Sequence, residues 1–231
     1  MAGLMSAGDA VTVTPSGEAS LWFLLAGAAL LGLVLSPLAE LLIARTLPGL
    51  GGLPPLSSRV TTAALTGATC AAFAFRFGPA PDLPAFLFLA VLGTQLAHID
   101  LMQHLLPNPL VLSLLTGGAF LLILPWIATG NAGGPLRGLF GAIILFAGYL
   151  VLALISPAGL GMGDVKLAGP LGLYMGYLGW NHLLYGGLLG FILNALATLI
   201  LVSFRRRGKG AEVAHGPSML AAAAAVALIL R

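Results

Sequence analysis

The chain has 231 residues, 59% of them apolar and only 7% charged, with a formal net charge of +3 and a mean hydropathy of +1.05. A soluble domain carries about 25% charged residues, so this composition excludes a mostly water-facing surface and makes lipid the main solvent. The lone cysteine, Cys70, excludes an intramolecular disulfide framework or a cysteine-rich zinc site, and the scattered basic residues give no reason to expect a nucleic-acid partner.

In chain order, apolar runs predict helices over about 21–44, 60–75, 85–99, 109–129, 138–157, 165–180, 183–204 and 218–230. A helix needs roughly 20 apolar residues to cross the hydrocarbon core; the first, fourth, fifth and seventh runs meet that, and the last is the shortest. The breaks coincide with Pro48-Gly49 through Pro54-Pro55, Gly78-Pro79-Ala80-Pro81, Pro107-Asn108-Pro109 and Gly130 to Pro135. The runs are long and lack the alternation of an outer-membrane barrel. The expected fold is an all-α polytopic bundle of about eight spans, with six as the fallback. It divides into an extracytoplasmic tail (1–20), a helical pair with a short cysteine-free loop (21–84) and a membrane domain (85–231). No basic segment precedes the first run, so a cleaved signal peptide is not expected.

Basic residues orient the bundle. With the N-terminus outside, Arg45, Arg59, Lys166, Arg205, Arg206, Arg207 and Lys209 fall in inside loops, and Arg76, Arg137 and Arg231 fall outside. Asp100 and Asp164 then lie at the cytoplasmic ends of their helices.

The charges within apolar segments are Glu40, Asp100, Asp164 and Lys166. A carboxylate at bilayer depth costs a few kcal/mol and is usually kept for function. Asp100 closes the third run and Asp164 opens the sixth, with an intervening hairpin that leaves and returns on one side. Both carboxylates are therefore expected at one depth. Two close carboxylates share a proton; the ionised one can activate water while the protonated one polarises a peptide carbonyl, with no metal or other cofactor. The macrodipole of each residue's own helix makes Asp164 the expected base and Asp100 the expected acid. Gly161 and Gly163, lacking Cβ atoms, would let a substrate strand approach Asp164. His98, Gln103, His104 and Asn108 make the rim polar, and the two histidines lack a cluster at metal-ligand spacing.

Each residue also has a plainer reading. The two aspartates could be a structural pair or ion-relay groups of a transporter. Lys166 could tune Asp164, but positions i and i+2 diverge on a helix, so snorkelling to headgroups is the expectation. Glu40 could be a helix-packing polar residue or could hold part of a substrate. Gly172, Gly176 and Gly179 would allow close helix packing.

Ile99-Asp100 followed by Leu105-Leu106-Pro107-Asn108, and the Gly161–Gly169 segment GMGDVKLAG, resemble the type IV prepilin peptidases, the GxGD class of aspartic peptidases. The likeness covers roughly 85–205, and Ser36 to Pro48 is similar to the family's N-terminal segment. The resemblance implies that Asp100 and Asp164 are catalytic. It also implies cleavage of a short basic leader from a prepilin or pilin-like precursor at the cytoplasmic face of the cell membrane. Bifunctional members carry paired CxxC motifs after the first span; the Gly49–Arg59 loop has none, so neither zinc nor methyltransferase activity is expected. Asn108 stands where many members have aspartate, and Glu40 where they often have asparagine. The presenilin and signal-peptide-peptidase branch shares GxGD, but its downstream Pro-Ala-Leu signature is missing. A transporter with mid-membrane broken helices and an inactive pilus or secretion assembly factor remain the alternatives.

Overall fold

The computed structural model describes residues 15–156, 160–204 and 214–230. Eight α-helices appear among them: α1 (Pro15–Thr46), α2 (Leu56–Phe77), α3 (Leu83–Gln103), α4 (Asn108–Thr129), α5 (Gly133–Ile155), α6 (Met162–Leu178), α7 (Trp180–Phe204) and α8 (Gly216–Ile229). All eight expected helices are present, and no strand occurs among the described residues. The expected tail falls mostly on residues 1–14, and the Arg205–Arg207 and Lys209 cluster and Arg231 also lie outside the described residues.

Six helices are long and apolar enough to cross a membrane: α1 to α5 and α7. At 1.5 Å rise per residue, α6 with 17 residues and α8 with 14 reach only about 26 and 21 Å. Burial explains how α6 manages. Every residue from Leu167 to Gly176 is buried, so this helix is covered all round by protein. α3 is likewise buried along most of its length. The outer helices turn large apolar side chains outward, among them Phe23, Leu42, Phe120, Ile144, Leu154 and Leu199. The buried polar residues include Gln95, Asp100, Asp164 and His215. Apolar groups outside and polar groups inside is the arrangement that lipid demands.

Glycine sets the tightest contact. Along the α5–α6 seam, a Cβ on Gly141 or Gly172 would collide with the other's carbonyl oxygen, and one on Gly176 would stand 2.6 Å from the Arg137 carbonyl oxygen. Close backbone approach of this kind is how small residues hold membrane helices together. The expectation for Gly172 and Gly176 holds. Gly179 has a different use: it ends α6 with φ 154°, its N–H donating to the Met175 carbonyl.

Candidate active site

Three helix ends meet at one end of the bundle. α3 runs a full turn further than its apolar run predicts, because His104 closes it in the left-handed region (φ 50°) with its N–H on the Asp100 carbonyl at 2.9 Å. Gln103, the last helical residue, donates from Nε2 to the Leu50 carbonyl at 2.8 Å and ties α3 to the turn after α1. Asp100 therefore sits one turn inside the helix and is 5% exposed. Asp164 is the third residue of α6, with its N–H on the Gly161 carbonyl at 3.1 Å, and is 9% exposed.

The two carboxylates are close enough to act on each other electrostatically. Leu106, in the segment between α3 and α4, lies between their supports. Its Cβ stands 3.1 Å from where a Gly163 side chain would begin, and its Cδ1 stands 3.4 Å from the same point on Gly216. Gly163 is thus a packing glycine: Leu106 occupies the space that a substrate strand was expected to use. A Cβ on Gly161 would lie 3.3 Å from Asp164 Oδ2, so that glycine keeps room beside the carboxylate itself.

The third helix end belongs to α8 and was not anticipated. The Gly216 N–H, at the first residue of α8, donates to Asp100 Oδ2 at 3.1 Å in a buried contact. A Cβ at Gly216 would stand 2.7 Å from that oxygen, so only glycine lets the amide reach it. Just before it, His215 Nε2 pairs with the Tyr149 hydroxyl of α5 at 3.2 Å, and its ring packs 5.3 Å from Phe191 of α7. Burial pushes the His215 imidazole down to about 4, which keeps it neutral near pH 7. Tyr149 in turn lies within electrostatic reach of Asp164. The start of α8 thus joins Asp100 of α3, through Gly216, to Tyr149 of α5, through His215.

The other expected residues stand at the margin. Lys166 Nζ donates to Asn108 Oδ1 at 2.9 Å, joining the start of α6 to the start of α4; it is a strap between helices, where snorkelling to headgroups was expected. Glu40 is 3% exposed and meets Arg59 across the α1–α2 hairpin, Oε2 to Nε at 3.0 Å. His98 Nε2 pairs with Ser58 Oγ at 3.1 Å. Among the described residues, no three His, Cys, Asp or Glu side chains converge as a metal site would need.

The profile of the type IV leader peptidase family matches residues 85–204, a stretch containing both aspartates, and the chain belongs to that family. It is 32% identical over 178 residues to a prepilin leader peptidase/N-methyltransferase of Aeromonas hydrophila, covering 76% of this chain and 59% of that protein. It is 33% identical over 147 residues to the protein of the same description from Aeromonas salmonicida (strain A449), covering 63% of this chain and 48% of that one. The chain thus spans about half to three-fifths of the length of these relatives. No solved structure matches it significantly.

Proposed function

We propose that this protein is a membrane-embedded aspartic endopeptidase that removes the short basic leader from type IV prepilin-like precursors at the cytoplasmic face. The observation that carries the reading is the meeting of Asp100 and Asp164, two buried carboxylates within electrostatic reach of each other and inside the stretch that matches the family. The peptidase chemistry is assigned to residues 85–231, with 21–84 as an N-terminal helical pair beside it.

The roles follow from hydrogen bonding. The Gly216 amide, at the positive end of the α8 dipole, stabilises an anion on Asp100. Asp100 is therefore the ionised base and Asp164 carries the shared proton, the reverse of what each residue's own helix end suggested. Asp100 takes a proton from water as its oxygen attacks the scissile carbonyl carbon, and Asp164 donates its proton to the carbonyl oxygen. On collapse of the tetrahedral intermediate, the C–N bond breaks and Asp100 returns its proton to the leaving amine, while Asp164 recovers its own from the hydroxyl. The neutral backbone amide steadies the Asp100 anion through a hydrogen bond. Lys166 and Asn108 support the site by fixing α6 against α4.

The cytoplasmic assignment draws on Arg45, Arg59 and Lys166, which lie at the dyad end, against Arg76 and Arg137 at the other. A precursor that is itself a membrane helix with a basic leader would present its leader–helix junction at this depth. The test is incubation of the protein in lipid with such a precursor and mass spectrometry of the products. One new N-terminus is expected, and Asp100→Asn or Asp164→Asn should each slow its appearance by at least about 10³-fold. Cleavage that persists in either amide variant overturns the proposal.

A further inference from the structure

At the end of the bundle away from the dyad lies a cavity of about 300 Å³. That is the lower end of the roughly 300–1,000 Å³ range of ligand sites. Four helix ends enclose it: Asp82 precedes α3, Trp126 and Thr129 lie in the last turn of α4, Arg137 stands near the start of α5, and Tyr177 is close to the end of α6.

The lining carries two opposite charges that do not neutralise each other. Asp82 and Arg137 form no salt bridge; the only ion pair among the described residues is Arg59 with Glu40. Both are half-buried, and both lie within electrostatic reach of the Tyr177 phenol. The Arg137 guanidinium makes one hydrogen bond among the described residues, from Nη2 to the Tyr177 carbonyl at 3.3 Å. Its Nη1 stands at the α4–α5 turn, 3.5 Å from where a Cβ on Gly133 would begin. The Asp82 carboxylate receives a hydrogen bond only from its own backbone. A carboxylate and a guanidinium held apart across one space suit a guest with an ammonium at one end and a phosphate at the other.

The surroundings decide which guest. Helix ends lie at headgroup depth, where tryptophan and tyrosine are favoured. Trp126 is exposed, and its flank of α4 continues toward the middle of the membrane as Ile123 and Phe120, both exposed. From Arg137, α5 continues likewise as Phe140 and Ile144. Apolar tracks leading away from a polar cavity fit acyl chains below a headgroup. A small soluble zwitterion would leave them unused.

We propose that this cavity binds the headgroup of a phospholipid bearing a primary amine, of the phosphatidylethanolamine class, in the leaflet opposite the dyad. Its phosphate accepts from Arg137 Nη1, and its ammonium donates to Asp82 with the Trp126 ring alongside. The acyl chains lie on the outer faces of α4 and α5. A quaternary ammonium has no N–H for Asp82, and a glycerol headgroup brings no cation there. One lipid thus ties four helix ends together, and neither dyad aspartate takes part.

The experiment measures binding of lipids with identical oleoyl chains to delipidated full-length protein in detergent, by native mass spectrometry. Wild type should bind phosphatidylethanolamine roughly 10-fold more tightly than phosphatidylcholine or phosphatidylglycerol, the scale of a charged hydrogen bond. Asp82→Asn should remove that preference while changing phosphatidylglycerol binding by less than about twofold. Arg137→Gln should weaken both lipids alike, by about 10-fold, because they share the phosphate. Equal wild-type affinities for the three lipids overturn the site, and that arm needs no variant to fold. A preference that survives Asp82→Asn also overturns it. So does soluble phosphoethanolamine binding as tightly as the lipid, since the acyl chains would then contribute nothing. The readout is lipid binding rather than cleavage, so the peptidase reading stands or falls separately.

Discussion

Both ends of the bundle hold acids, half-buried Asp82 at one and buried Asp100 and Asp164 at the other, and their neighbours differ. At the far end, Asp82 precedes α3 among arginines. Burial raises its carboxyl above the ordinary value, and Arg76 pulls it back. The arginines there serve helix ends: Arg76 donates to the Leu230 carbonyl at 2.7 Å, and Arg137 to the Tyr177 carbonyl at 3.3 Å. At the dyad end, two acids lie within electrostatic reach of each other, and among the described residues no arginine or lysine bonds to either; Lys166, two residues from Asp164, reaches Asn108 instead. A close acid pair can exchange a proton, which hydrolysis requires.

This contrast can be sharpened by small changes, taken from the largest effect down. Gly216→Ala pushes a methyl against Asp100 Oδ2, and displacement of a catalytic group by about 1 Å can cost roughly 10²-fold in rate. Precursor cleavage should fall by that order while far-UV circular dichroism is unchanged; full activity would remove the α8 amide from the account. Gly172→Val should wedge the α5–α6 seam open and lower the thermal midpoint in detergent by roughly 5–10 °C. An unchanged midpoint would show that the seam does not hold the bundle.

A subtler effect concerns His215. Its folded value of about 4 lies below the ordinary value of about 6.5. Between the two, the unfolded chain binds a proton that the folded one does not, so stability falls as pH drops through this window. Moving from pH 7 to 4.5 should lower the wild-type melting temperature by roughly 2–4 °C more than that of His215→Gln. Equal shifts would mean that the ring is not held neutral. The smallest expected effect is at the far end: Asp82→Asn should leave cleavage within about twofold of wild type. A large loss there would erase the contrast between the two ends.

Much of this was legible in the residues. Eight apolar runs gave eight helices, and Asp100 and Asp164 stood out because charge is rare in such runs. What escaped was tertiary. The donor to Asp100 is a backbone amide 116 residues away in sequence, and no side chain at Gly216 announces it. The available signal was modest: His-Gly-Pro opening the last apolar run marks a helix start with a polar ring beside it. The dipole argument points the other way for the same reason. It considered the helix each aspartate belongs to, whereas Asp100 lies at the end of one helix and against the beginning of another. Glu40 and Arg59 were both visible as charges, but their pairing across the hairpin depends on how α1 packs on α2.

The account's central claim is that Asp100 and Asp164 work as a unit. Its most direct test compares cleavage rates of Asp100→Asn, Asp164→Asn and the double amide variant on one precursor in lipid. Groups that act together give losses that do not add, so all three variants should fall to the same residual rate. Losses that multiply between the singles and the double, or cleavage that survives in the double variant, would contradict it.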